Sequence, residues 1–384
     1  MIMSSRSKAP GGRATLRANS RLQGTNAVTF RTIRDSTGGR ARARWTAILI
    51  FCLGLFATGT CLAQDRAFEQ AAKLGRGINI LGYDGLWEGG VDAPFRMQNL
   101  RQIRQAGFQH VRINFFAFKH MNAENKIDPA VLVRLDDVIW ETIDAGLIPV
   151  LDEHDYGECQ MRISACETKL VAFWEQIAAR YAGKHPSLIF ELLNEPGGNM
   201  PAQTWSNLAQ RLLAIIRRSN PNRTVIVAAI SSDDTTAIQH PQLPKDDRNI
   251  ILTIHYYAPF PFTHQGAPWS PQLAALRDIR WGSDADRRKL TEDFNRIAAW
   301  GKAENRPVYL GEFSVYEAAP LADRLRYLTF VTRTAESLGW PWAYWQFDHD
   351  FALFDSVRQQ WNTAVLDALM RGSTSKASPR RTKN

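Results

Sequence analysis

Eight short β-rich runs, separated by stretches that include several with helical spacing, divide the chain between residues 77 and 347. They read GINIL (77–81), HVRINFF (110–116), IPVLDEH (148–154), LIFELLNE (188–195), TVIVAAI (224–230), ILTIHYY (251–257), VYLGEF (308–313) and AYWQF (343–347). Between them lie apolar faces: Leu132, Leu135, Ile139 and Ile143, with Gly146 placed to end the helix; Leu170, Phe173, Trp174, Ile177 and Tyr181; Leu208, Leu212, Ile215 and Ile216; and Phe294, Ile297 and Ala298. Such spacing gives a helix one apolar side to lay on a sheet. Alternating strand and helix makes parallel βα units, because a parallel neighbour is reached only through a long crossover. Eight of them predict an α/β protein, a single closed (β/α)8 TIM barrel, with its active site at the carboxyl ends of the strands. A doubly wound open sheet is the alternative. No Gly-rich nucleotide loop at the first turn supports it.

The ends of the chain differ from its body. Residues 1–63 carry ten Lys/Arg against one acid, Asp35, and residues 371–384 add five bases and no acid. Residues 64–370 then hold 32 bases and 37 acids, so the net charge of +9 belongs to the termini. That distribution lends little support to nucleic-acid binding, and no such partner is expected. The basic leader ends at Arg44 and is followed by WTAILIFCLGLFATGTCLAQ, an apolar run that closes in small residues, with Cys61 and Ala63 spaced for cleavage before Gln64. It reads as an export signal, and as a membrane anchor if it is retained. The expected product is an exported monomer with its barrel in residues 64–370 and a basic, disordered tail from 371 to 384. Export would leave Cys159 and Cys166, and in an oxidising compartment so short a pair reads as a loop-closing disulfide.

Barrel geometry makes a simple demand of the site: polar residues at the ends of several strands must converge. Arg112 lies in the second run, His154 ends the third, Asn194 and Glu195 end the fourth, and His255 and Tyr257 end the sixth. Glu312 is late in the seventh run and Trp345 lies in the eighth. Buried charges are costly unless paired, and this set can pair internally. Two carboxylates flanking a glycosidic bond can divide the work, one protonating the leaving oxygen while the other attacks the sugar carbon. The acid then needs a raised pKa and the nucleophile must stay ionised. Arg112 and Tyr257 can stabilise an ionised Glu312, while Pro196 and Gly197 end the strand so that Glu195 stands at the barrel mouth.

FELLNEP followed by VYLGEF resembles glycoside hydrolase family 5, the retaining cellulase family of a large clan of (β/α)8 glycosidases. RGIN (76–79), VRINFF, LDEH, LNEP, HYYAPFPFTHQG, LGEF and WAYWQFD fall in the family's order. The resemblance implies Glu195 as acid/base and Glu312 as nucleophile. It also implies that Asn194 binds the sugar 2-hydroxyl, that Arg112 and Tyr257 hold Glu312, and that His255 sits near the acid/base. His154 and Trp345 would line the sugar site beside the cleaved bond. The implied substrate is a β-linked polysaccharide or oligosaccharide, with internal cleavage of β-1,4-glucan foremost and β-1,3-glucan, mannan, xyloglucan or glycolipid as alternatives.

Three tryptophans, Trp87, Trp269 and Trp281, fall in predicted loops at or near the rim, where aromatic faces could add sugar subsites. The long segment 258–289 is also expected to shape that rim. DEHD (152–155) invites a metal reading, but no second histidine cluster completes a ligand set, and neither metal nor cofactor is expected. A carbohydrate-binding protein without catalysis would lack one of the two glutamates. A metal-dependent hydrolase would use His154, Asp155 and His255.

Overall fold

The computed structural model describes residues 66–90, 93–230 and 240–371. The expected leader, export signal and all of the basic tail beyond Arg371 lie outside these residues. Eight parallel strands close into a barrel in sequence order: β1 (Arg76–Ile80), β2 (His110–Phe115), β3 (Ile148–Glu153), β4 (Ile189–Glu191), β5 (Val225–Ala228), β6 (Ile250–His255), β7 (Val308–Glu312) and β8 (Trp342–Tyr344). β8 closes the ring by pairing Arg76 with Trp342 and Ile78 with Tyr344. The strands are buried along nearly their whole length, as they must be with a filled interior inside and helices outside. Among the described residues no helix is long and apolar enough to cross a membrane.

The helices start and stop where local chemistry directs. Pro129–Asp144 begins with Pro129 in its first turn, capped by the Asp128 carboxylate, which accepts from the Ala130 amide. It ends just before Gly146, which adopts a left-handed φ of 77°. Asp284–Glu304 opens on a capping box between Ser283 and Asp286. The expected apolar faces point inward, with Leu170, Phe173, Trp174 and Ile177 buried on Ile163–Arg180.

Regular strand structure in β4 stops at Glu191, earlier than the apolar run to 195 implies. The chain stays extended beyond it: the Leu192 amide donates to Ile226 O at 3.1 Å and the Asn194 amide to Glu153 O at 2.8 Å. Glu195 then turns into the left-handed region, with φ of 40° before Pro196. Segment 258–289 is shorter on irregular backbone than expected. It contains the single turns Phe260–Thr263 and Pro271–Ala274, and its last residues begin Asp284–Glu304. A disulfide joins Cys159 to Cys166, fastening the six-residue helix Tyr156–Met161 to Ile163–Arg180.

Candidate active site

Interior positions alternate along barrel strands, and the pairing registers bring their polar residues into one layer. Asn79 of β1 pairs with Arg112 of β2, Asn114 with Asp152 of β3, and Asp152 with Glu191 of β4. Arg112 is completely buried and is the hub. Its Nε and Nη2 donate to the two oxygens of Glu191 at 2.8 and 2.9 Å, a bidentate pair. Nη1 donates to Glu312 Oε1 at 2.8 Å and to Asn79 Oδ1 at 2.9 Å. Nη2 also donates to Asn194 Oδ1 at 2.9 Å and lies 3.1 Å from Asp152 Oδ2. Burial alone would weaken this cation, but Asp152, Glu191 and Glu312 hold its pKa well above the ordinary value.

Above the hub, Glu195 and Glu312 face His255. His255 Nδ1 lies 2.8 Å from Glu195 Oε1 and 3.5 Å from Glu312 Oε2, and the Tyr257 hydroxyl donates to Glu312 Oε2 at 3.0 Å. One oxygen from each glutamate and a ring nitrogen of His255 all lie within 4.8 Å of one another. Among the described residues this is the group close enough to hold a metal ion, whereas Asp155 of the metal alternative turns aside to accept from the Phe118 amide at 2.8 Å. Glu312 is nearly buried, while Glu195 keeps 33% of its side chain exposed.

Burial is the largest influence on both glutamates. On Glu195 it is outweighed by the hydrogen bond and charge of His255, which hold the carboxyl below its ordinary range. On Glu312 burial prevails over the attraction of His255 and Arg112 and raises the carboxyl. This order is the reverse of the one expected for an acid at Glu195 and a nucleophile at Glu312. At Glu195 the reason is His255, whose own pKa burial lowers but Glu312 and Glu195 raise above the ordinary histidine value; at Glu312 the reason is burial. His154 behaves differently: burial and the Arg112 charge push it down to about 3, so it is neutral and can donate from Nδ1 to Asp152.

The strand ends open into a cleft of about 910 Å³. Glu195, Glu312, Asn194, His154, His255, Tyr257, Trp345 and Trp269 all line it, and Arg112 lies beneath. Trp345 is parallel to His154, with ring centroids 5.6 Å apart. Tyr83 meets Trp345 edge-on at 6.2 Å, extending that wall. Trp269, also in the lining, packs 5.7 Å from Phe351 and is 47% exposed.

Two of the three rim tryptophans are misplaced by the sequence reading. Trp87 is 1% exposed, donates from its indole to Leu81 O at 3.2 Å, and packs on Phe115. Trp281 is 3% exposed among Phe262, Tyr327 and Phe330. Both are core residues that happen to lie in connections between strands. The sequence reading also missed Glu191, Asp152, Asn79 and Asn114. A charged residue in the middle of a buried strand run was the available signal, and Glu191 in LIFELLNE carries it.

A comparison with family descriptions matches residues 73–350 to Cellulase (glycosyl hydrolase family 5). The chain belongs to glycoside hydrolase family 5. Among solved structures it is similar to endoglucanase Cel5A of Thermotoga maritima, at 37% identity and TM-score 0.74 over 79% of this chain and 99% of that one. It is also similar to the cellulose synthase subunit Z of Clostridioides difficile, at 31% identity and TM-score 0.72 over 78% of this chain and 100% of that one. Endoglucanase H of Acetivibrio thermocellus is 28% identical over 320 residues, 80% of this chain and 34% of the relative. The family 5 chain thus spans about a third of that curated relative's length.

The two kinds of tryptophan separate experimentally. Trp87→Ala should lower unfolding free energy by about 3–5 kcal/mol, the cost of deleting a large buried aromatic. Trp269→Ala should change it by no more than about 0.5 kcal/mol while weakening oligosaccharide binding. Denaturant titration and substrate KM read the two effects, and equal stability losses would contradict the assignment of Trp87 to the core and Trp269 to the cleft.

Proposed function

We propose that the chain is a retaining glycoside hydrolase that cuts β-1,4-glucan internally, with Glu312 as nucleophile and Glu195 as acid/base. The observation that carries this reading is the approach of the two glutamate oxygens to within 4.8 Å. Inverting enzymes keep their carboxyl groups about 6.5–9.5 Å apart to admit a water, whereas retaining ones close to about 5–5.5 Å. A cleft whose lining carries Tyr83, Trp345, Trp269 and Phe351 besides the glutamates offers several apolar faces to successive sugar rings, which supports attack within a chain instead of at its end.

In the first step an oxygen of Glu312 bonds to the anomeric carbon, the glycosidic C–O bond breaks, and the departing oxygen takes a proton from Glu195. Arg112 cannot give up its proton and Tyr257 donates to the other oxygen, so Glu312 keeps two partners for its anionic form. With Glu195 held below its ordinary value and His255 above its own, the proton required at Glu195 resides on His255 and reaches Glu195 Oε1 along their 2.8 Å contact. In the second step Glu195 takes a proton from water, whose oxygen displaces Glu312. Asn194 uses its carbonyl oxygen on Arg112, leaving its NH2 for the sugar 2-hydroxyl. Trp345, braced by His154, provides a face for the pyranose ring.

Solved structures of the Thermotoga relative in complex with cellobiose and with mannotriose make mannan the second substrate to test. Likeness to a clostridial cellulose synthase subunit makes a glucan produced by the cell itself one source of the bond. Export through residues 1–63 would bring the barrel to either polymer.

Incubation with β-1,4-glucan, β-1,3-glucan, mannan and mixed-linkage glucan should release short oligomers from β-1,4-glucan. Glu312→Ala should lower that rate by about 10⁴ or more while the protein remains folded. Near-normal turnover by the variant would remove Glu312 as nucleophile, and products from mannan alone would replace the substrate.

The pH profile follows from the same three groups. Glu312, raised above the ordinary carboxylate value, is protonated early as pH falls and sets the acid limb. The proton held by His255 is retained past the ordinary histidine value and is lost as pH rises, setting the alkaline limb. In His255→Gln only Glu195 holds that proton, so the alkaline limb of kcat/KM should move to lower pH. A limb that stays in place or moves up would show that His255 does not store the proton.

A further inference from the structure

Glu195 is not anchored by strand pairing, since β4 ends at Glu191 and Glu195 itself takes a left-handed φ of 40°. A non-glycine residue holds that conformation only where its surroundings fix it. The amide of Gln160 does so directly: Nε2 donates to the Glu195 carbonyl at 3.0 Å. The Gln160 carbonyl in turn accepts from the Asn199 amide at 3.0 Å, so one residue bridges both ends of the turn after β4. The contact is close enough that a Cβ on Gly198 would stand 2.7 Å from the Gln160 Cβ.

Gln160 belongs to a helix of only six residues, Tyr156–Met161, and a helix that short has little stability of its own. What secures it is the neighbouring residue. Cys159 is buried and bonded to Cys166, on the long helix Ile163–Arg180 that packs against the barrel. The same long helix holds the strand side of the turn, because the Trp174 indole donates to Leu192 O at 3.0 Å. The Glu158 carboxylate adds an ion pair to Lys169 at 3.2 Å. One rigid helix therefore grips residues 192–195 from both sides, directly through Trp174 and through the disulfide and Gln160.

We propose that Gln160 is a positioning residue for Glu195, held in place by the Cys159–Cys166 disulfide. The inference rests on Glu195 being the acid/base. Proton donation depends on where the carboxyl stands relative to the leaving oxygen, and small displacements are costly to the step. Attack by Glu312 does not depend on it, since Glu312 is held by Arg112 of β2 and by Tyr257 just beyond β6. Loosening Gln160 should therefore injure the protonation of poor leaving groups and spare good ones.

The test uses the full chain, with phenyl β-cellobioside as the poor leaving group and 2,4-dinitrophenyl β-cellobioside as the good one. Gln160→Leu keeps the size of the side chain and removes its donor. Cys159→Ala/Cys166→Ala removes the clamp, and Glu195→Ala is the reference. For Gln160→Leu, kcat/KM, which reads the first step alone and not the later work of Glu195 as base, should fall about tenfold to a hundredfold on the phenyl glycoside and less than about threefold on the dinitrophenyl glycoside. The double cysteine variant should show the same asymmetry. If Glu195→Ala is asymmetric but Gln160→Leu loses equally on both substrates, or on neither, Gln160 does not position the acid. If Glu195→Ala itself loses equally on both, the acid/base reading fails and takes the inference with it. Should the cysteine variant not fold, Gln160→Leu decides alone.

Discussion

The site depends on one buried cation. Arg112 touches Glu191, Asp152 and Glu312 with a single guanidinium, and reaches Asn79 and Asn194 besides. Three carboxylates at the centre of a barrel would each be driven to neutrality by burial. The arginine makes it possible for the layer to carry negative charge, and it ties strands β1, β2, β3, β4 and β7 into one polar plate. Removing one partner of such a buried group costs about 3–5 kcal/mol, because the remaining charges are left uncompensated. The plate is thus at once a core element and the floor of the cleft. Glu312 extends up from it to the surface where a sugar would lie.

On that floor the two glutamates are distinguished by what holds them. Glu312 is bound to a group that never loses its proton and to a tyrosine hydroxyl. Glu195 is bound to His255, a side chain that can gain and lose a proton. The directions of the carboxyl shifts follow from their surroundings: His255 outweighs burial and draws Glu195 down, while burial raises Glu312 against the attraction of His255 and Arg112. The proposed division of labour therefore resides in the identity of the partners. A permanent cation suits a nucleophile that must remain an anion, and a titratable partner suits a group that must gain and lose a proton.

Much of this was legible in the residues. The barrel followed from the alternation of eight β-rich runs with helical spacing, because periodicity responds to burial and the barrel imposes burial uniformly. The residues lining the cleft were legible where they end strands, as with His154, Asn194, His255 and Glu312. The tryptophans were not. Trp87, Trp269 and Trp281 all sit in connections, and only the path of each loop decides that Trp269 faces the cleft while the others fill the core. Loop paths depend on contacts distant in sequence, which local pattern does not encode. Glu191 escaped for another reason: an apolar strand run conceals an interior-facing charge unless its partner, here 79 residues away in Arg112, is considered with it. The expectation of a raised acid and an ionised nucleophile did not anticipate that His255 would outweigh burial at Glu195 while burial would prevail at Glu312, a balance that local sequence does not encode.

In the proposed reaction Glu312 becomes covalently joined to the sugar. The direct measurement is to trap that species with 2,4-dinitrophenyl 2-deoxy-2-fluoro-β-cellobioside, whose fluorine slows both steps and whose leaving group restores the first. Mass spectrometry of the digested protein then locates the adduct. One fluorinated cellobiosyl group per chain is expected, on the peptide that contains Glu312, together with loss of activity at the same rate. An adduct on Glu195 or elsewhere, or inactivation without any covalent adduct, would contradict it.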